Sequence, residues 1–371
     1  MVGKIPALAL TTRVRYGVVI MHISETWLED IVWGGALLGG GGGGSVTEGL
    51  TLGQTAFQVE RPRLIHPENH PGEGLIASCA VARAPLGRRH HLRPGDHVRS
   101  VEMLREQLSG ELTGLIPEGM GGRAVIDGWY QSAVLDLPVI DLPADGRGHP
   151  LDLQGSLGLT LQEGYISWQA CAGGNPDQGE YVEIYISASL PIADKLTRRA
   201  AAQAGGAVCV TRNPVSLTRA IEGGVPGGIR KAQELGKNYR QRLASGVESA
   251  ANWFADHLEG QYWGEVRVND HRRSYSLGME IVLVECAPYR LQGVGTFLTM
   301  ERDGELLARF TDLIVALDAR DGMPLIMEEL TKGRQILLLT IPARSLKLGT
   351  GCKDPELLQS LEDLVGQSLT P

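Results

Sequence analysis

The sequence has few aromatic residues, no closely paired cysteines and no long apolar run. Aromatic side chains make up 5% of the 371 residues, so ligand recognition by aromatic stacking has little support. The five cysteines are widely spaced and include no Cys-x-x-Cys pair, which disfavours both a disulfide framework and a zinc knuckle. No apolar stretch approaches the ~20 residues that a membrane-spanning helix needs. These absences predict a protein of a reducing cytoplasm.

The chain also lacks an excess of positive charge. Acidic residues outnumber Lys and Arg by 43 to 35, for a net charge of −8, which argues against nucleic acid as a partner. The first 22 residues lack the continuous apolar core and small-residue cleavage site of a signal peptide. We therefore predict that residues 1–22 are a disordered extension and that the protein is cytoplasmic and not membrane-bound.

The length exceeds the ~250 to 300 residues at which one hydrophobic core stops growing, which predicts two domains. Apolar runs alternate with helical stretches and glycine turns before residue 258, and short β-like runs follow. We predict the α/β class, with an α/β domain carrying glycine-rich loops over 23–258. A β-rich domain over 259–345 and a C-terminal helix and tail over 346–371 follow. Individual predictions include a helix at 27–38 with a capping box from Thr26, a helix opened by Asn213-Pro214, and a helical region at 229–258 broken near Gly246.

Glycine is abundant, at 49 residues, and six of them are consecutive from Gly39 to Gly44. Ser45 and Glu48 then form a capping box that starts a second helix. Free backbone N–H groups beside a helix N-terminus suit a carboxylate, a phosphate or a developing oxyanion. The alternative is a tight helix connection in which glycine only permits close packing. No Lys-Ser or Lys-Thr follows, so this is not a nucleotide P-loop.

Two further segments place polar groups beside glycines at the ends of apolar runs, where α/β folds commonly hold ligands. These segments are 118–122 and 138–150, and ordinary turn chemistry is the alternative for each. His149 in the second segment could serve as acid, base or ligand.

Five histidines fall within 32 residues, accompanied by Asp96: His66, His70, His90, His91 and His97. They could bind zinc, but neighbouring arginines favour a solvated basic loop. Cys79 and Cys209 lie in apolar runs typical of inert core thiols, and Ser45 fits an N-cap better than a nucleophile.

Several separated segments, taken in order, resemble one family. They are Leu28–Ile31 and Gly35–Gly39, Ala84-Pro85, Glu118 with Gly121-Gly122, Pro138–Asp141 with Arg147 and Pro150, Val225–Ile229, and Phe310 through Ala343. Together they are similar to the S-methyl thiohydantoin desulfurase family, which is also found beside or fused to hydantoinase and oxoprolinase components. The resemblance covers about residues 21 to 345.

The resemblance implies a β-rich, swivelling-type C-terminal domain and hydrolysis or desulfurisation of cyclic ureides and thioureides. The chain departs from the family pattern at four places. Ser45-Val46 replaces an Asp-Pro, Pro143 replaces a second Asp, Gly228 replaces a Thr, and a basic histidine stretch replaces a Glu-Lys. The alternative function is therefore a non-catalytic partner subunit or ligand-binding protein of a hydantoinase or oxoprolinase system.

A site hypothesis follows from the residues and the resemblance together. Asp141 or Glu118 activates water or holds a metal, while Arg147 and the amides of the glycine loop stabilise negative charge. Arg147 could instead clamp a substrate carboxylate, and Asp145 and His149 are further candidates. The predicted substrate contacts are Gly41, Gly42, Gly43, Gly44, Ser45, Gly121, Gly122, Gly227 and Gly228. No cofactor is certain, a divalent metal such as zinc being the one candidate. The expected partners are a small cyclic amide, a hydantoinase- or oxoprolinase-type protein and further copies of the chain in a homo-oligomer.

Overall fold

The structure, a computed structural model, describes residues 14–15, 18–19, 21–84 and 91–369. Most of the predicted extension 1–22 lies outside these ranges, as does His90. The helices are α1 (Glu25–Leu38), α2 (Val46–Val59), α3 (Pro94–Arg105), α4 (Trp129–Leu135), α5 (Leu190–Gln203), α6 (Leu217–Gly223), α7 (Gly228–Leu243), α8 (Val247–His257) and α9 (Pro355–Val365). None of the described helices combines the length and apolar character needed to cross a bilayer.

A short antiparallel pair, β1 (Val14–Arg15) and β2 (Val18–Val19), precedes a mixed sheet of eight strands. The strands of that sheet are β3 (Met21–His22), β4 (Arg63–Ile65), β5 (Leu75–Arg83), β6 (Leu112–Pro117), β7 (Val139–Ile140), β8 (Ile166–Gly173), β9 (Val182–Ser189) and β10 (Ala207–Val215). They lie in the order β3-β4-β7-β6-β5-β10-β8-β9. The four strands β4, β7, β6 and β5 are parallel, so their carboxyl ends meet at one edge, where Glu118 and Asp141 follow β6 and β7.

The C-terminal part forms two antiparallel sheets. Its strands are β11 (Gln261–Arg267), β12 (Asp270–Ser276), β13 (Met279–Cys286), β14 (Tyr289–Val294), β15 (Thr296–Arg302), β16 (Glu305–Arg309), β17 (Leu313–Asp318) and β18 (Gln335–Ile341). One sheet has the order β11-β18-β17 and the other runs from β12 to β16 in sequence. Alternate residues of β17 and β18 face opposite ways, as strand geometry requires. Leu313 and Leu339 pack with the helices, whereas Ile314 and Leu338 pack with the five-stranded sheet.

Helices α1 and α7 are in backbone contact, which joins the N-terminal segment to the chain that follows the large sheet. A Cβ on Gly34 would lie 1.7 Å from the carbonyl oxygen of Ala232, and one on Gly236 would lie 1.9 Å from that of Asp30. Only glycine permits so close an approach. An ion pair of 2.6 Å between Arg240 and Asp30 secures the crossing.

Several predicted elements need correction. Ser24, not Thr26, caps α1 by accepting a hydrogen bond from the Trp27 N–H. Asn213 and Pro214 belong to β10, and Ser216 caps the helix that follows. The break near Gly246 and the capping box of Ser45 and Glu48 are confirmed.

Candidate active-site cleft

A cleft of about 310 Å³ lies between the large mixed sheet and the C-terminal sheets. The mixed-sheet side contributes the glycine loop, the end of β5 and the segments 118–127 and 148–152. The opposite side contributes β12 and β13, Gly295 and the segment 326–328. Of the predicted site residues, Gly42, Gly43, Gly44, Glu118 and His149 line this cleft.

The glycine loop is pressed between the two parts of the molecule. The carbonyl oxygens of Gly40 and Gly41 accept hydrogen bonds from the N–H groups of Phe297 at 2.7 Å and Met327 at 2.9 Å. A Cβ on Gly42 would lie 2.0 Å from the carbonyl oxygen of Gly295. The close-packing explanation of the glycine run therefore holds for Gly40, Gly41 and Gly42.

The next two glycines leave backbone donors unused. The N–H groups of Gly43 and Gly44 find no hydrogen-bond acceptor in the part of the chain that the structure describes. Both residues have positive φ, 72° and 81°, and both line the cleft. Two adjacent free amides just before the N-terminus of α2 suit an atom that carries or develops negative charge.

Glu118 is held by a buried arginine. Nε and Nη2 of Arg212 donate to its two carboxylate oxygens, and the Ser78 hydroxyl donates to Oε1 at 3.1 Å. Both Glu118 and Arg212 are almost fully buried, and the carboxylates around Arg212, that of Glu118 foremost, raise its pKa above the ordinary arginine value despite burial. Both oxygens of this carboxylate are engaged by the bidentate pair, so Glu118 serves to hold Arg212 in place.

For Asp127 on the cleft wall, burial outweighs the effect of its arginine partner. Its side chain is 1% exposed and pairs with Arg123. Burial raises its pKa to about 6, even though Arg123 acts to lower it. Asp194, behind the wall, is similar: burial and the neighbouring Asp152 raise its pKa to about 6, while Arg198 lies 2.7 Å away.

The ionisable side chains that line the cleft carry a small excess of negative charge. Five carboxylates line it, but only four guanidinium groups do. Every one of those arginines has a carboxylate partner: Arg83 with Glu48, Arg123 with Asp127, Arg198 with Asp194 and Arg273 with Glu280.

Two of the carboxylates that line the cleft, one on each side, have no guanidinium group of their own. Asp152 lies 4.0 Å from Arg212, which is already bound to Glu118. Glu328 forms no ion pair within the described ranges; burial raises its pKa, while the charges of Arg83 and Arg273 act to lower it. The cleft therefore favours a ligand that carries positive charge or several N–H donors.

His149 lies between two glycines at the cleft wall. A Cβ on Gly119 would lie 2.8 Å from its Nδ1, and one on Gly155 would lie 2.8 Å from its Nε2. Nδ1 is buried and has no hydrogen-bond partner among the residues described. The imidazole is thus fixed in place by close packing against these two glycines.

Asp141 and Arg147, two of the predicted catalytic residues, do not line the cleft. Asp141 accepts hydrogen bonds from the Ile229 N–H at 2.7 Å and from Arg230 Nε at 2.8 Å, at the start of α7. Arg147 is fully buried and donates from Nη1 to the carbonyl oxygens of Thr311 at 2.7 Å and Asp312 at 2.6 Å. Burial lowers the pKa of Arg147 and raises that of Asp141.

The remaining predicted site residues do not line the cleft. Ser45 caps α2, and a Cβ on Gly121 or Gly122 would collide with Gly43 or Ser45. Gly227 and Gly228 line a different cavity. Asp145 is buried and accepts from the N–H groups of Gly146 and Gly349 and from the Cys352 thiol.

Sequence reasoning missed Arg212, Asp127, Asp152 and Glu328. Glu118 and Arg212 are 94 positions apart in the chain, and no local pattern links them. Asp152 follows the 138–150 segment directly, so a wider reading of that polar segment would have included it.

The histidines of the cluster do not share one environment: His91 is exposed, as the predicted solvated loop requires, whereas two of the others are not. His70 and His97 are buried, and His97 lies within α3, where burial lowers its pKa to about 3. Among the described residues, no group of three or more His, Cys, Asp or Glu side chains is placed to hold a metal ion. All five cysteines are buried and free.

Models of two S-Me-THD-like domains match the chain, the N-terminal domain over residues 26–173 and the C-terminal domain over residues 188–348. A crystal structure of a protein from Chromobacterium violaceum is similar with a TM-score of 0.70, covering 95% of this chain and 98% of that chain at 18% sequence identity. At that identity the likeness concerns the fold. Comparison with curated proteins finds no match. The predicted family and the two-domain class, a mixed α/β sheet with mostly antiparallel C-terminal sheets, are confirmed.

Proposed function

The chain belongs to the S-Me-THD-like family, and we propose that its cleft hydrolyses an S-alkylated thiohydantoin to the hydantoin and a thiol. Water adds to the ring carbon that carries sulfur, the carbon–sulfur bond breaks, and the thiol leaves with a proton. The single observation that carries this choice is the excess of carboxylate in the cleft, on Asp152 and Glu328.

The charge of the ring distinguishes the candidate substrates. S-alkylation turns the thiourea unit of the ring into an isothiourea, whose ring nitrogen accepts a proton. Hydantoins and unalkylated thiohydantoins are instead N–H acids, which become anions. A cleft with a carboxylate on each wall that has no guanidinium group of its own, Asp152 and Glu328, favours the protonated ring and disfavours the anion. Desulfurisation is therefore favoured over hydantoin ring opening.

Each described group has a role in this proposal. Asp152 and Glu328 accept from the protonated ring, which makes the sulfur-bearing carbon more electrophilic. His149 accepts a proton from the attacking water at Nε2, in the tautomer that carries its own proton on the buried Nδ1. The free amides of Gly43 and Gly44 stabilise the departing thiolate. Glu118 and Arg212 hold this wall in position.

The test compares three rings with the same substituent: S-methyl thiohydantoin, thiohydantoin and hydantoin. Thiol release is followed with a colorimetric thiol reagent, and the product is weighed by mass spectrometry in ¹⁸O-water. We expect methanethiol and one ¹⁸O atom in the hydantoin product from the first ring only. We also expect His149→Gln to lower kcat by about 10²–10⁴-fold.

Asp152→Asn and Glu328→Gln should each lower kcat/KM for the S-methyl ring about tenfold, which corresponds to about 1.4 kcal/mol of transition-state stabilisation. The matched control is Glu305→Gln, which removes an exposed carboxylate outside the cleft. Ring opening of hydantoin would identify a different hydrolase. Binding of the S-methyl ring without turnover would support the non-catalytic ligand-binding alternative.

A further inference from the structure

A second cavity of about 380 Å³ lies where the start of α7 meets the chain after β18. Its apolar lining comes from Leu38, Met120, Val225, Leu235, Leu258 and Leu346. Met120 lines both this cavity and the cleft, so the two spaces are neighbours. The proposed desulfurisation uses nothing in this cavity.

The rim of the cavity is basic. Arg230, Lys231 and Lys347 line it, against the single carboxylate of Glu234. Arg230 binds Asp141 through Nε only, and its two Nη atoms donate to no acceptor among the described residues. Neither Lys231 nor Lys347 is ion-paired in the described ranges. Asp141 itself is buried beneath the rim, so its charge is already used by α7 and Arg230.

The glycine pair at the start of α7 shapes this cavity. A Cβ on Gly228 would lie 2.5 Å from Pro143 and 3.3 Å from the methyl group of Met120. Gly227 has a φ of 79° and open space at its Cβ position. The glycine pair thus brings the helix down onto Pro143 and leaves room above it.

From this combination of apolar walls and cations with free N–H donors, we propose that the cavity binds a small amphipathic carboxylate. Its hydrocarbon body contacts the leucine and valine side chains, and its carboxylate is bound by the free Nη atoms of Arg230, with Lys231 and Lys347 nearby. A bidentate guanidinium–carboxylate pair fits the planar fork of arginine. Apolar walls with a few convergent polar groups are the usual make-up of a small-molecule site.

The test uses octanoate as the probe, with octanol as its uncharged counterpart, on the full chain. Binding is measured by calorimetry and by methyl NMR of ¹³C-methionine-labelled protein, with Met120 assigned through Met120→Leu. We expect one octanoate per chain, a shifted Met120 methyl signal and at least tenfold weaker binding of octanol. Lys231→Ala with Lys347→Ala should weaken octanoate binding about tenfold, and Arg230→Ala should weaken it further.

The matched control is Lys195→Ala with Lys332→Ala, which removes the same charge from exposed positions outside the cavity. Leu346→Trp, at a half-buried position of the wall, should fill the cavity and abolish binding without loss of fold. Equal affinity for octanol, no shift at Met120, or equal weakening in the control pair would each overturn the proposal. Desulfurisation is assayed separately, so a failure of either proposal leaves the other standing.

Discussion

Two sets of buried charged residues lie at the same edge of the large sheet, and they differ in their partners. In the loop after β7, Asp141, Asp145 and Arg147 bind mainly backbone N–H and carbonyl groups. Around the cleft, Glu118 and Asp127 bind arginine side chains. The charged side chains that are hydrogen-bonded to backbone groups fix the conformation of the loop. The ion-paired charges around the cleft line a space, and in the proposed function the carboxylates there that have no guanidinium partner of their own bind the ligand.

The largest effect should come from Arg147→Met, which keeps an unbranched apolar stem but removes the guanidinium group and the three hydrogen bonds that it donates. The carbonyl oxygens of Gly148, Thr311 and Asp312 would then be buried without the donors that now reach them. We expect the free energy of unfolding to fall by about 3–5 kcal/mol, measured by urea denaturation. Arg320→Met, at an arginine whose side chain is 80% exposed, should cost under about 1 kcal/mol. A similarly small loss for Arg147→Met would show that the hydrogen bonds of Arg147 to backbone carbonyl groups do not stabilise the fold.

A smaller effect should appear in the pH dependence of stability through Asp127. The pKa of its carboxyl is raised from 3.8 to about 6 in the folded protein. As pH rises from about 4 to 6, the unfolded chain loses this proton before the folded chain does, so stability falls, by about 2–3 kcal/mol in all. Asp127→Asn should remove that fall.

The measurement is urea denaturation of wild type and Asp127→Asn at several values between pH 4 and pH 7. Asp194 keeps its own contribution in both proteins, because burial and Asp152 also raise its pKa to about 6. Asp303→Asn, at an exposed hairpin carboxylate, should leave the wild-type slope unchanged. Parallel curves for wild type and Asp127→Asn would show that Asp127 keeps an ordinary pKa.

The smallest effect should come from Asp141→Asn. The amide oxygen can still accept from the Ile229 N–H, but the charge that pairs with Arg230 and the start of α7 is lost. We expect a loss of about 1–2 kcal/mol in the free energy of unfolding and a kcat/KM for desulfurisation within twofold of wild type. A hundredfold drop in kcat with unchanged stability would return Asp141 to the catalytic role predicted from the sequence.

Local patterns in the sequence were sufficient for much of the fold. The capping box of Ser45 and Glu48 and the break near Gly246 each depend on neighbouring residues. A local pattern that fits both a helix start and a strand was not sufficient. Asn213-Pro214 suits a helix start, yet pairing of β10 with β5 and β8 keeps those residues in the sheet.

Some features of the candidate site were likewise predictable from local sequence, and others depend on residues far apart in the chain. The sequence by itself determined the helix–glycine–helix segment and the polar ends of β6 and β7, because backbone conformation and capping depend on residues a few positions apart. Only the tertiary structure decided that Glu118 borders the cleft while Asp141 caps a helix, and that Arg212 neutralises Glu118 from 94 positions away. The role of a buried charge depends on which distant groups desolvate and pair with it, and that is a property of the folded chain.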